Sequence, residues 1–179
     1  ETLTISNRVN GTFDLAGVAP TTGSATTVNV SGAGDFTISA LNTGVSTVNA
    51  AALAGSLSLA ASARDADVLT VTGGVNNDSI AMENAADILS GGSQAVGGAD
   101  TLVVNYTAVL AGITVDLTAE DQVVSMDGSP NTAIQSGFED VDLRAFSGFG
   151  AVVTGSDGAN VITGTVAKDR INAGKGNDT

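Results

Sequence analysis

The sequence predicts an all-β fold coiled as a β-solenoid. Short runs in which apolar and polar residues alternate recur along the chain, as expected of strands with one buried face. Their centres lie about ten residues apart with Gly, Asn, Asp or Ser between them, so two strands and two turns fill about 20 residues, the size of one solenoid coil. Residues 155–179 add a glycine-rich unit that repeats every nine residues. Together these features favour a stack of similar coils.

The predicted strands carry their apolar residues at alternate positions. In chain order these positions are Leu3 and Ile5, Phe13 and Leu15, Val28 and Val30, Phe36 and Ile38, Leu57 and Leu59, Leu69 and Val71, Ile80 and Met82, Leu102 and Val104, Ile113 to Leu117, Val141 and Leu143, and Val152. Helices have little support, because Gly55 interrupts the alanine-rich stretch 49–63 and residues 85–89 suffice for one helical turn only. Residues 119–137, which include Pro130, are expected to leave the regular coil.

The domain organisation follows from where the nine-residue repeat begins. Residues 1–150 are predicted to be a solenoid-like region of repeated strands, and residues 151–179 the start of a nonapeptide coil that ends in mid-repeat. The chain is therefore expected to be a piece of a longer protein. An antiparallel β-sandwich followed by a short β-roll is the alternative, because a sandwich also has short strands at this spacing.

Composition narrows the range of functions. The net charge of −13, from 19 acidic and 6 basic residues, argues against nucleic acid or an anionic membrane as a partner and makes divalent cations the natural counter-charge. His and Cys are both absent, which excludes common zinc and haem sites, thiol nucleophiles and histidine acid–base chemistry. No apolar stretch is long enough to span a bilayer. The acidic groups Glu120/Asp121 and Glu139/Asp140/Asp142 are expected to be solvated turn residues or calcium ligands rather than a general acid and base, and the chain is predicted not to be an enzyme.

The repeat places three polar residues in the same phase. Asn160, Asp169 and Asp178 occupy the sixth position of successive units, with Ile162 and Ile171 two residues after the first two of them. In a solenoid, residues 18 apart lie one full coil apart. Asn160 and Asp178 are therefore expected to face one row of cations, and Asp169 the opposite edge.

These units, together with residues 73–81, resemble RTX, or haemolysin-type, calcium-binding repeats of the pattern G-G-x-G-x-D-x-U-x. The preceding strands resemble those of secreted bacterial surface-layer proteins and large RTX adhesins. The resemblance implies a right-handed parallel β-roll, type I secretion, and folding outside the cell on meeting calcium. It also implies the metal-binding positions, which are Gly73, Gly74, Asp78, Gly155, Gly158, Asn160, Asp169, Gly174, Gly176 and Asp178.

Calcium is the expected cofactor, since oxygen-only ligation by carboxylates and flexible carbonyls suits its six to eight ligands. Asp157 is a further ligand candidate, and Asp100 ends a looser match that has an insertion in its turn. For Asp78 and Asp100 the alternative is a solvated turn residue. Asn160 departs from the repeat by replacing the acid with an amide, and Lys168 places a positive charge beside Asp169.

The predicted function is that of a structural calcium-binding domain of a secreted bacterial cell-surface protein, in a surface layer or extracellular matrix. Its expected partners are calcium ions, other copies in a lattice or filament, and a cell-surface polysaccharide. The alternatives are a calcium-binding module of an exported protease, lipase or polysaccharide-modifying enzyme, and an adhesin stalk. The pairs Thr2/Thr4 and Thr70/Thr72 resemble the Thr-x-Thr rows of ice-binding solenoids, but two isolated pairs do not make an array, and β-propensity explains them.

Overall fold

The computed structural model describes residues 1–18, 26–60, 67–106 and 110–179, and the regular elements in these ranges are all β-strands. They are, in chain order, β1 (Thr2–Asn7), β2 (Gly11–Leu15), β3 (Thr26–Gly32), β4 (Phe36–Leu41), β5 (Val45–Leu53), β6 (Leu57–Leu59), β7 (Thr70–Thr72), β8 (Ser79–Met82), β9 (Ile88–Ser90), β10 (Thr101–Val104), β11 (Ile113–Asp116), β12 (Val123–Met126), β13 (Ser129–Pro130), β14 (Gln135–Ser136), β15 (Asp140–Asp142), β16 (Ala151–Thr154), β17 (Ile162–Thr163) and β18 (Arg170–Asn172). Within the described ranges, no helix could cross a bilayer.

The strands form three sheets. Sheet A has the order β1-β3-β5-β7-β9-β14, sheet B the order β17-β15-β10-β8-β6-β4-β2, and sheet C the order β13-β12-β11-β16-β18. From β1 to β10, successive strands alternate between sheets A and B, and each pairs in parallel with its neighbours in the same sheet. The prediction of an all-β fold is confirmed, and sheets A and B are parallel rather than the antiparallel layers of a sandwich.

Two columns of apolar side chains, one from sheet A and one from sheet B, run through the core. The column of sheet A is Leu3, Val28, Val48, Val71 and Leu89. The column of sheet B is Phe13, Ile38, Leu59, Ile80, Leu102, Val141 and Ile162. Their middle members are almost completely buried and belong to one hydrophobic cluster. Alternate residues of each strand therefore point inward, as the period-two pattern predicts.

The regular alternation is interrupted between β10 and β14. Strands β11, β12 and β13 form an antiparallel meander, and its last turn is the two-residue pair Asp127 (φ 58°) and Gly128 (φ 76°). Positive φ at both turn residues is the geometry that favours Asp-Gly in tight hairpins. Buried Gln122 attaches the meander to the following coil, because its Nε2 donates to Phe138 O (2.7 Å) and its Oε1 accepts from Phe138 N (3.0 Å). The excursion expected at residues 119–137 thus contains three short strands, β12, β13 and β14, of which β12 and β13 belong to the meander.

The described part of the alanine-rich stretch is not helical: it contains the end of β5, a bend at Gly55 and then β6, while its last residues, 61–63, lie outside the described part of the chain. One local expectation differs from the structure, because residues 85 and 86 form a turn and residues 88 and 89 belong to β9, where the sequence allowed a helical turn. At the C-terminus, β17 pairs with β15 and β18 with β16, so residues 151–179 extend sheets B and C.

Candidate functional site

Five polar residues stand in one row at the edge of sheet B where its strands begin. We call Asp78, Asp100, Glu139, Asn160 and Asp178 the acid column. Asp78, Asp100 and Glu139 each come directly before a strand. The first residues of these three strands, Ser79, Thr101 and Asp140, pair with one another, so the three acids are aligned. Asn160 continues the row, because Glu139 and Asn160 each lie two residues before the paired residues Val141 and Ile162. Asp178 comes next, since the residue after it, Thr179, donates its N–H to Asn160 O. Four predicted metal ligands therefore lie in one column, and Glu139 joins them.

Most members of the acid column accept a hydrogen bond from the backbone of the preceding coil. Leu57 N donates to Asp78 Oδ1 (2.6 Å), and Asp78 N donates to Asp100 Oδ1 (2.7 Å). Asp100 N donates to Glu139 Oε2 (2.8 Å), and Asn160 N to Asp178 Oδ1 (3.0 Å). At Asn160 the side chain is the donor instead of the acceptor, because its amide Nδ2 donates to Glu139 O (2.6 Å). Each side chain thus binds one coil to its neighbour.

The same side chains also close their own turns. Asp78 Oδ2 accepts from Gly74 N (2.5 Å), and Asn160 Oδ1 accepts from Ser156 N (2.7 Å). In both cases the donor lies four residues before the acceptor. A carboxylate or amide at the sixth position of the repeat therefore has a structural role that needs no ion, namely to satisfy backbone N–H groups that the turn leaves unpaired.

The glycines of the motif are explained by the close approach of successive coils. A Cβ added at Gly73 would lie 1.9 Å from Gly91 O and 2.4 Å from Asp78 Oδ2, and one at Gly155 would lie 2.1 Å from Ala173 O. Gly174 and Gly176 have φ values of +92° and +118°, which L-residues rarely adopt. The repeat thus uses glycine both for left-handed turns and for stacking.

Asp169 lies away from the acid column, at the start of β18 in sheet C, as the sequence predicts for an opposite edge. Its Oδ1 accepts from Ala151 N (2.8 Å) and its Oδ2 from Thr165 N (2.9 Å), so it repeats the arrangement seen at Asp78. Asp157 is exposed and forms an ion pair with Lys175 (2.7 Å). These two acids therefore face different surroundings from the column.

Sequence reasoning missed two members of this system. Glu139 lies in the column although no glycine-rich motif precedes it, and the only available signal was its position directly before the apolar residues of β15. Asp87, directly before β9 of sheet A, has the same role as Asp78 before β8 of sheet B. It accepts one N–H from the preceding coil, from Leu69 N to Oδ1 (2.8 Å), and one from its own turn, from Glu83 N to Oδ2 (3.1 Å).

Burial disfavours the charged forms of Asp78 and Asp100, two members of the column. Burial raises the pKa of Asp100 to about 7, and the charges of Asp78 and Glu139 add to this rise. Burial also raises the pKa values of Asp78 and Asp140. Within the described part of the chain, Asp100 Oδ2 and Gln94 Oε1 are buried with no hydrogen-bond partner. A proton or a cation at this edge would lower the cost of these buried oxygens.

The fit to calcium depends on carbonyl oxygens as well as carboxylates. Among the described residues, no group of three or more Asp, Glu, His or Cys side chains could hold a metal ion. The turns stacked along the column instead enclose a groove of about 380 Å³. Its lining combines two carboxylates, Glu139 and Asp140, with the turns 97–99 and 158–161 and with Asn177. Calcium accepts such mixed sets of carboxylate, amide and carbonyl oxygens.

No protein-family model, curated protein or solved structure matches this chain. The resemblance to RTX repeats therefore depends on the motif alone and stays a prediction.

Proposed function

We propose that this chain is a non-enzymatic, calcium-stabilised β-solenoid from a secreted bacterial cell-surface protein, in which it forms a rigid structural segment. The observation that carries the proposal is the acid column, where side chains from five turns bind successive coils together. A fold whose polar residues are used in this way is suited to a mechanical role. The parallel alternation of strands between sheets A and B supports the solenoid architecture.

The use of the acidic residues supports a structural rather than a catalytic role. General acid–base catalysis needs a titratable group that can reach a substrate. Asp78 and Asp100 are instead almost completely buried and accept backbone N–H groups. The chain has no His or Cys, so its acidic residues are the main candidates for such chemistry, and Glu139 too is engaged, by Asp100 N and by Gln94 Nε2 (3.1 Å).

Calcium would be held where the glycine-rich turns stack at the C-terminal end of the column. Asp178 would supply a carboxylate, Asn160 an amide oxygen, and the turns that contain Gly158 and Gly176 would supply backbone carbonyls. When bound, the ion would supply positive charge that offsets repulsion among the stacked carboxylates. At concentrations of about one to ten times Kd, each site would add only about 0.4 to 1.4 kcal/mol. Several sites must therefore act together.

Weak sites suit a protein that is exported before it becomes rigid. At low cytosolic calcium the repulsion among 19 acidic residues opposes compaction, and at extracellular calcium it is relieved. Type I secretion and assembly into a surface layer belong to the same proposal. In the described structure β1 and β2 each pair with one strand only, and a strand edge of this kind can template the pairing of a further strand.

The test is a calcium titration followed by far-UV circular dichroism and urea unfolding, beginning in EGTA. Calcium is expected to raise the β-signal or the unfolding midpoint over the millimolar range. The variant Asp178→Ala should weaken this response, whereas Asp157→Ala, which removes an exposed carboxylate paired with Lys175, should weaken it less. Identical spectra and midpoints in EGTA and in millimolar calcium would refute the calcium part of the proposal.

A further inference from the structure

The outer face of sheet A carries two columns of hydroxyl and amide side chains in register. The first column is Thr2, Thr27, Thr47 and Thr70, and the second is Thr4, Asn29, Asn49 and Thr72. Ser90 and Ser136 continue the second column on the next two strands. The two Thr-x-Thr pairs that look isolated in the sequence are thus the ends of one array across four neighbouring strands.

This face is uncharged although the chain as a whole is strongly acidic. The six strands of sheet A contain no Asp, Glu, Lys or Arg. Sheet B differs, because its strands include Asp14 in β2 and both Asp140 and Asp142 in β15. In a protein with a net charge of −13, a neutral surface of this kind favours a neutral partner.

The array includes a groove. The register of β3 and β5 shifts between Asn29 and Ser31, so β5 carries an extra residue, and such bulges bend a strand and redirect its side chains. A groove of about 430 Å³ lies at this point, and its lining includes Thr4, Asn29, Ser31, Asn49, Ala51 and Ala52. Asn49 Nδ2 donates to Asn29 Oδ1 (3.3 Å), which aligns the two amides across the strands. The groove therefore combines aligned polar groups with small apolar side chains.

We infer that this groove and its two columns bind a neutral polysaccharide chain lying across the strands of sheet A. Parallel strands repeat the same donors and acceptors about every 4.8 Å, so a ligand that crosses them should itself be a repeating chain. Hydroxyl and amide groups both donate and accept, as sugar hydroxyls do, and the alanine methyls offer an apolar contact to sugar C–H groups. The inference deepens the proposed function, on which it rests, by naming the surface that contacts a cell-surface glycan.

Two other occupants fit the face less well. The eight column residues cover roughly 200 Å² at the strand spacing of a sheet, well below the roughly 800 Å² per partner of a stable protein interface, which argues against a second copy. Ice would need a flat and uniform array. Here asparagines replace threonine in the middle of the second column, and a groove interrupts the surface.

The test is a binding assay in millimolar calcium with microcrystalline cellulose, chitin and soluble dextran as neutral probes and alginate as the anionic control. We expect retention on at least one neutral probe and little on alginate. The double variant Asn29→Asp/Asn49→Asp, which adds charge with almost no change of shape, should weaken binding at least tenfold. Thr12→Asp places one exposed charge on the outer face of sheet B and should leave binding unchanged.

Several outcomes would overturn the inference. These are no retention on any neutral probe, equal retention of both variants, stronger binding to alginate, thermal hysteresis in ice without glycan binding, or a dimer in sedimentation analysis that the double variant abolishes. Circular dichroism on the same samples separates the two proposals. If the calcium response is intact while glycan binding fails, only the polysaccharide inference is wrong; if the calcium response is absent while glycan binding persists, only the calcium proposal is wrong.

Discussion

Replacing Asp100 by Asn should stabilise the protein at alkaline pH. Asp100 is completely buried, its Oδ1 accepts from Asp78 N, and its Oδ2 has no partner within the described chain. An Asn side chain keeps one oxygen for the Asp78 amide and removes the charge. The Asp100 side chain interacts with that of Gln94, so the Nδ2 of an Asn would also offer a donor to Gln94 Oε1, which has no partner within those same residues. The substitution therefore mimics the protonated carboxyl.

The magnitude follows from the pKa of Asp100. Folding raises this pKa from 3.8 to about 7, so the protonated form favours the folded state. The stabilisation is fully present below pH 3.8 and is lost as the pH rises through about 7. At about 1.4 kcal/mol per pKa unit, the ionised group costs the folded state up to about 4 kcal/mol at pH 8. We expect Asp100→Asn to recover about 2 to 4 kcal/mol there and little at pH 4.

Urea unfolding at constant millimolar calcium, from pH 4 to pH 8, measures this effect. The wild type should lose stability as the pH rises, and Asp100→Asn should remove most of that loss. Asp157→Asn is the matched control, because it neutralises an exposed carboxylate and should leave the slope in place. If wild-type stability does not change between pH 4 and pH 8, or if Asp100→Asn destabilises the protein at pH 8, the electrostatic reasoning about the acid column is wrong.

Two further substitutions test how the coils are held. Asp78→Ala removes the acceptor for Leu57 N and Gly74 N, so urea unfolding should show a free energy of unfolding lower by about 2 to 4 kcal/mol. The control Asp157→Ala, at an exposed residue, should change this free energy by less than about 0.5 kcal/mol. Equal effects of the two would contradict a structural role for Asp78. Gly73→Ala places a Cβ 1.9 Å from Gly91 O and should lower the free energy of unfolding by more than about 3 kcal/mol or prevent folding. In the control Gly17→Ala the added Cβ has no atom within 4 Å, so this variant should unfold at nearly the wild-type urea concentration. Wild-type stability of Gly73→Ala would show that the coils do not approach as closely as described.

The sequence predicts the strands of sheets A and B well where apolar residues alternate, because that pattern directly reflects one buried face. It fails at β5, where an alanine-rich run hides the alternation, and at the β12–β13 hairpin, where the Asp127-Gly128 signal lies in a polar segment. The polar columns of sheet A are harder still. The corners between strands vary in length, so register partners are separated by unequal numbers of residues and no fixed period shows them.

The candidate site was found in part, for a physical reason. The glycine motif identifies Asp78, Asp100, Asn160 and Asp178, because close stacking of the turns requires glycine just before the polar residue. It does not identify Glu139, whose longer side chain reaches Asp100 N without such a turn. Nor does it distinguish an ion ligand from an acceptor of backbone N–H groups, since both uses call for an oxygen at the same position.

The central claim is that the acid column holds successive coils together, and amide hydrogen exchange tests it most directly. The N–H groups of Leu57, Asp78, Asp100 and Asn160 each donate to a side chain of the next coil. In millimolar calcium, these amides should exchange as slowly as those inside β4 and β8. Exchange as fast as that of exposed turn amides such as that of Asn177 would contradict the claim.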